Sequence, residues 1–205
     1  MALSGEPVQM LARYRYGLYY LLSWGRLAEA IEQCRLGLET DPLSMPLHLL
    51  MAFSMLFSKR YQETIEYARR ALEIDANFYF TWHAMGVAQL RAGLAHEGIA
   101  SLKRVVELAP WDSMNKWVLA AAYHQAGDRE RSQELARKLA GSQGRTLGAA
   151  FYYAVTGEVD AMFEALDGAY QQRHGALASF RYNPFSEPYR ADPRFQALLR
   201  RMNLA

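Results

Sequence analysis

Five histidines (His48, His83, His96, His124 and His174) and a single cysteine, Cys34, are the side chains here best suited to metal binding or nucleophilic chemistry. No two of the histidines stand one helical turn apart, so no helix presents a paired-imidazole zinc site. His96-Glu97 opens like such a motif but has no second histidine at the required offset. One cysteine excludes an internal disulfide framework and a cysteine metal cage. On the packed side of a helix it is a small buried hydrophobe with an inert thiol. The stretch Gly141-Ser142-Gln143-Gly144-Arg145-Thr146 faintly echoes a phosphate loop, but it lacks the glycine spacing, the lysine and a preceding strand. It reads as a connection between helices. Carboxylates such as Glu63, Glu66 and Asp75 are scattered as on a solvated face. No nucleophile, base or metal set comes together, so the expectation is a protein that is not an enzyme and has no cofactor.

Composition narrows the partners. Of 205 residues, 51% are hydrophobic and 21% charged, enough apolar material for a core and an ordinary soluble charge content. A formal net charge of +2 is too small to hold nucleic acid or an anionic membrane by electrostatics. The opening MALSGEPVQMLARYRYG places no basic segment before an apolar run, and Leu18 to Trp24 is far too short to span a bilayer. The expectation is a cytoplasmic protein whose partner is another protein or peptide.

The elements that position these residues repeat. Gly25, Lys59, Gly93 and Gly127 follow one another at a single constant step. The same step links Pro42, Ala76, Pro110 and Gly144, and also Leu18, Ala52, Gly86 and Ala120. Small residues in the last row let two helices of a pair approach closely, with Leu18 as the exception. The glycines suit the left-handed position that ends a helix. The prolines stop one pair and start the next. Ala30, Thr64, Gly98 and Ser132 form a second small row, with Cys34, Ala68, Leu102 and Ala136 one turn further along the same face.

These rows resemble the tetratricopeptide repeat family. The best match is TWHAMGVAQLRAG, with Trp82, Met85, Gly86 and Gly93 on the family's marked positions, followed by Leu102 and Pro110. KRYQETIEYARRALEIDAN supplies a second helix with Tyr61, Thr64, Ala68, Ala71 and Ala76, and AAAYHQAGD adds Ala120, Tyr123 and Gly127. The first unit keeps Tyr14, Gly25, Ala30 and Pro42. The resemblance implies an all-α, right-handed α-solenoid of antiparallel helix pairs in one domain. Its repeats span 11–44, 45–78, 79–112 and 113–146, with a degenerate fifth pair over 147–176. Gly157 follows Gly127 by a step about one helical turn too short, and the slip is expected in a shortened second helix at LAGSQG. Trp82 is expected to be largely buried within the third unit, beside Met85 and that unit's second helix.

Residues 177–205 read as a terminal cap. GALASFRYNPFSEPYRADP carries three prolines and little periodicity. DPRFQALLRRMNL is a short helix from about Pro193 to Met202, with Asp192 as N-cap and a stripe of Phe195, Leu198, Leu199 and Met202. A solenoid needs such a cover over its last repeat. This tail is similar to the end of tetratricopeptide modules in bacterial multidomain regulators.

In that architecture the first helix of each pair lines a concave groove. The inward positions are Arg15, Tyr19 and Leu22; Leu49, Phe53, Leu56 and Phe57; His83, Val87, Leu90 and Arg91; and Trp117, Ala121, His124 and Gln125. Family members that clamp a chaperone's terminal carboxylate place lysine, asparagine and arginine at positions held here by Arg15, Tyr19, Leu49, Phe53, His83 and Val87. Only Arg15 keeps that charge. What remains is an aromatic groove (Tyr19, Leu49, Phe53, Phe57, Trp117) edged by His83, Val87, Arg91 and His124, suited to a peptide or helix. Alternatively these side chains are core, or the segment Phe180–Tyr189 folds back over them. Two further readings stand beside a scaffold: a ligand-sensing module of a larger bacterial regulator, and self-association through the groove or the first repeat.

Overall fold

The computed structural model describes residues 10–143 and 146–204. Gly144 and Arg145, from the expected loop, and the opening residues 1–9 lie outside them. The chain is an all-α solenoid with no strand among the described residues. Five first helices are α1 (Met10–Arg15, continued by a wide turn Tyr16–Leu21), α3 (Met45–Phe57), α5 (Tyr79–Arg91), α7 (Ser113–Gln125) and α9 (Leu147–Thr156). Their partners are α2 (Leu27–Thr40), α4 (Tyr61–Ile74), α6 (Ala95–Leu108), α8 (Arg129–Gln143) and α10 (Val159–Gln171). Successive helices pack on one another as far as α8, and α9 then packs on α7 and α10. Beyond them come α11 (Leu177–Phe180), a 3-10 turn (Pro184–Tyr189) and α12 (Pro193–Arg201).

The two sets of helices differ in pattern for a physical reason. In α4, Thr64, Ile65, Ala68 and Ala71 are buried while Glu66, Arg69, Arg70 and Glu73 lie on the side that reaches water, the single stripe of a surface helix. In α3 every residue from Leu47 to Leu56 is buried. That run covers the whole helix circumference, so α3 has protein on all sides, including the concave one.

Between the helices of a pair, Gly25, Gly93, Gly127 and Gly157 take φ of 69°, 82°, 84° and 81°, as the glycine row required. Lys59 holds the same conformation at φ 61° despite its Cβ, at a cost of about 1 kcal/mol. The first unit solves its missing small residue differently. A π-type turn, with the Leu22 amide bonding the Gly17 carbonyl at 2.9 Å, adds a residue to the helix. Gly17 then faces Leu50, where a Cβ would lie 2.2 Å from a leucine methyl, and Leu18 turns to a half-buried position.

The slip in period lies elsewhere than expected. α8, with 15 residues, is not shortened; α9 has 10 where α3, α5 and α7 have 13. About one turn is missing from α9. The Tyr189 hydroxyl reaches the end of that helix and donates to the Ala154 carbonyl at 2.7 Å. Trp82 also departs from expectation. It is half-buried, its indole N–H donates to the Ala76 carbonyl at 2.8 Å, and it packs on a cluster of Ala52 and Ala68 from the preceding unit with Met85. The terminal helix begins as expected: the Asp192 carboxylate accepts from the Arg194 amide at 2.8 Å, and Phe195, Leu198 and Leu199 are buried. Arg194 and Arg201 lie over the rings of Phe163 and Tyr170 and pair with Asp160 and Asp167, fixing α12 on α10.

Candidate functional site: the concave face

Most of the inward positions are not open to water. Leu49, Phe53, His83, Val87 and Trp117 are all buried. Phe53 meets Phe80 of the next first helix at 4.7 Å between ring centres. Trp117 meets Tyr152 at 5.4 Å and Tyr153 at 6.1 Å, both on α9. These residues form the seams between successive first helices. The expected aromatic groove is therefore largely core, because neighbouring units approach closely enough for inward side chains to cross from one helix to the next.

The segment after α10 runs from the fifth unit back to the turns of the second and first. Tyr182 lies against Gly25, where a Cβ would sit 2.2 Å from the phenol ring. Glu187 pairs with Lys59 in the turn of the second unit. Phe180 and Phe185 pack on Phe151 at 5.0 and 6.0 Å. Leu22, Leu56 and Leu90, on inward positions of the first three units, are themselves buried. Asn183 sets the segment's bend, its side chain accepting from the Phe185 amide at 3.0 Å. Lys59 foremost, with Arg190 and Arg91 nearby, holds the Glu187 carboxyl below the usual range.

Six inward residues keep contact with water, Gln125 at the exposed end of α7 among them. Arg15 and Tyr19 are exposed, Tyr19 to 72%, and Phe57, Arg91 and His124 are half-buried. Tyr19 and Tyr79 face Tyr14, whose hydroxyl burial and these neighbours push up to about 12. So three phenols from the first and third units cluster at the open end of the face. Tyr79 was not among the inward residues read from the sequence, since it lies one turn ahead of them.

His83 heads a buried polar chain. Its Nδ1 donates to the Asn115 side-chain oxygen at 2.8 Å, and Asn115 donates to the Asp112 carboxylate at 2.8 Å. Burial lowers the His83 pKa, partly opposed by Asn115 and Asp112. The imidazole is thus neutral in the fold, and protonation works against folding. Stability is fully present above the unfolded value of about 6.5 and is lost as pH falls towards the lower folded value. Urea unfolding at about pH 7.5 and about pH 5.5 should show this loss, and His83→Gln should reduce it. Equal losses in wild type and variant would remove His83 as the cause. His124 is also shifted down, by burial first and Arg129 second. Cys34 is buried, and burial pushes its thiol up to about 12. Among the described residues no group of three or more His, Cys, Asp or Glu side chains converges as a metal site, and no helix is long and apolar enough to cross a membrane.

No protein-family model matches this sequence, and no curated protein does. Among solved structures the fold is similar to PilF of Pseudomonas aeruginosa, a tetratricopeptide-repeat protein, with a TM-score of 0.60. The match covers 94% of this chain and 91% of that one at 19% identity, a likeness of fold alone.

Proposed function

We propose that the protein is a non-catalytic scaffold that binds another protein through the open end of its concave face. The observation that carries this reading is Tyr19: a phenol 72% exposed on an inward position, near Arg15 and facing Tyr14 together with Tyr79. Tyrosine and arginine are the side chains that most often anchor interfaces. The partner is a peptide or helix lying over Arg15, Tyr19 and Tyr79 and continuing towards Phe57. Leu49, Phe53, His83, Val87 and Trp117 shape this surface from beneath. Arg91 and His124 lie further along the face, Arg91 beside the chain's own Glu187.

Because Arg15 and Tyr19 are exposed, Arg15→Ala with Tyr19→Ala should leave helical content and melting unchanged. Crosslinking capture from native lysate should lose its specific partners with the double variant, weakened about a hundredfold if each anchor contributes about 1–2 kcal/mol. Recovery of the same proteins at the same yield by both forms would remove this surface from consideration.

A further inference from the structure

A cleft of about 750 Å³ opens on another part of the solenoid, between the first two units. Its walls include Leu38, Pro42, Leu43, His48, Met51 and Ile74. The repeat explains why it exists. In the next unit, His48 corresponds to Trp82, Leu38 to Leu72 and Met51 to Met85. There the indole and Leu72 both pack on the cluster that holds Met85, and the indole donates to the Ala76 carbonyl at 2.8 Å. In the first cleft the smaller imidazole makes the matching bond, Nε2 donating to the Pro42 carbonyl at 2.8 Å, and fills less of the space. Tyr67, which stands where the next unit has Ser101, lies 6.2 Å from the His48 ring and adds an aromatic wall to the cleft. The counterparts of Leu72, Ala76 and Met85 are thus present here without an indole.

The same molecule carries a tryptophan with nowhere to go. Trp111 is 75% exposed, and Leu43, its counterpart two units earlier, is 74% exposed. Both occupy the same loop of the repeat, so they lie along one edge of the solenoid, Leu43 at the rim of the cleft and Trp111 two units away. Two copies related by a two-fold axis across that edge would set Trp111 of each against the cleft of the other. Such a pairing closes on itself.

We propose that this edge is a homodimer interface in which Trp111 of a second copy fills the cleft beside His48, and the reverse. It is independent of the concave surface assigned above. Two tryptophans and the walls they cover would bury about 600–1,000 Å², the low end for a specific interface, so the dimer forms at micromolar concentration or weaker.

Analytical ultracentrifugation over the micromolar to millimolar range is the test. Wild type should show a monomer–dimer equilibrium. Trp111→Ala should weaken it at least about a hundredfold, because symmetry removes both anchors at once. His48→Trp should do the same with Trp111 intact, by filling the cleft from within, and should raise the melting temperature. Free indole should shift wild type towards monomer and move the Met51 methyl resonance. A wild type that is monomeric throughout would overturn the proposal. So would a dimer that survives Trp111→Ala, and so would an indole titration that leaves Met51 unmoved; these last two readings stand even where His48→Trp folds poorly. Loss of lysate partners with Trp111→Ala while wild type stays monomeric would also overturn it, in favour of a tryptophan-binding partner of another kind.

Discussion

Trp117→Ala should destabilise the protein by about 3–5 kcal/mol, the range for truncating a buried large aromatic side chain. The side chain is fully buried between α7 and α9, with Tyr152 and Tyr153 against its ring. Close approach leaves the gap no way to collapse. A Cβ added at Gly148 would lie 2.8 Å from the Met114 Cα, so α9 already sits hard against α7. The indole N–H is buried with no partner among the described residues. Trp117→Phe loses volume but also removes that unpaired donor, so it should cost clearly less. In a quasi-linear array the damage need not spread evenly. Helical signal should melt in two steps for Trp117→Ala, the part beyond α7 going first. A melting curve that overlays wild type would mean the seam does not hold the array together.

This result bears on function, because Trp117 and Phe53 would both have been natural choices for binding-site variants. Loss of partner binding with either is expected from unfolding alone. Arg15 and Tyr19 are the informative positions, since neither supports the core.

Much of the architecture was legible in the residues. The glycine row marked the left-handed turns, and Asp192-Pro193 marked the start of α12, because capping and φ are local properties. The inward register of the first helices was read from helical spacing alone. What faced those positions could not be read that way. Leu22 and Leu56 can line an open groove or lie under another segment with the same spacing. The long-range contacts of Tyr182 with Gly25 and Glu187 with Lys59 bring such a segment to the turns just beyond them, and spacing carries no sign of that. Proline-rich, aperiodic sequence around Phe185 carried no signal of its destination beyond its aromatic content. Likewise, Leu18 at a small-residue position flagged a problem in the first unit, and the π turn that solves it could not be read from that residue alone. The slip before Gly157 was visible, but its place was misread because a spacing says that residues are missing and not from which helix.

Deleting residues 177–205 should be the most damaging change of all. The segment covers the last helix pair and reaches back to the turns of the first two units. Phe180, Phe185 and Phe195 are each buried. At about 1.5–3 kcal/mol per side chain, their loss alone approaches the whole stability margin of an ordinary domain, about 5–15 kcal/mol. The damage is not confined to what is removed. Phe151 on the concave face and Leu166 on α10 would lose their cover together. An apolar patch of that kind is an aggregation surface. The truncated chain should express largely insoluble, and any soluble fraction should bind a hydrophobic dye strongly while keeping helical circular dichroism. Phe185→Asp in the full-length chain is the milder version and should produce the same dye response without removing α12. A truncated protein that stays soluble, melts like wild type and leaves the dye dark would show that the helix pairs stand by themselves, and that the segment merely rests on them.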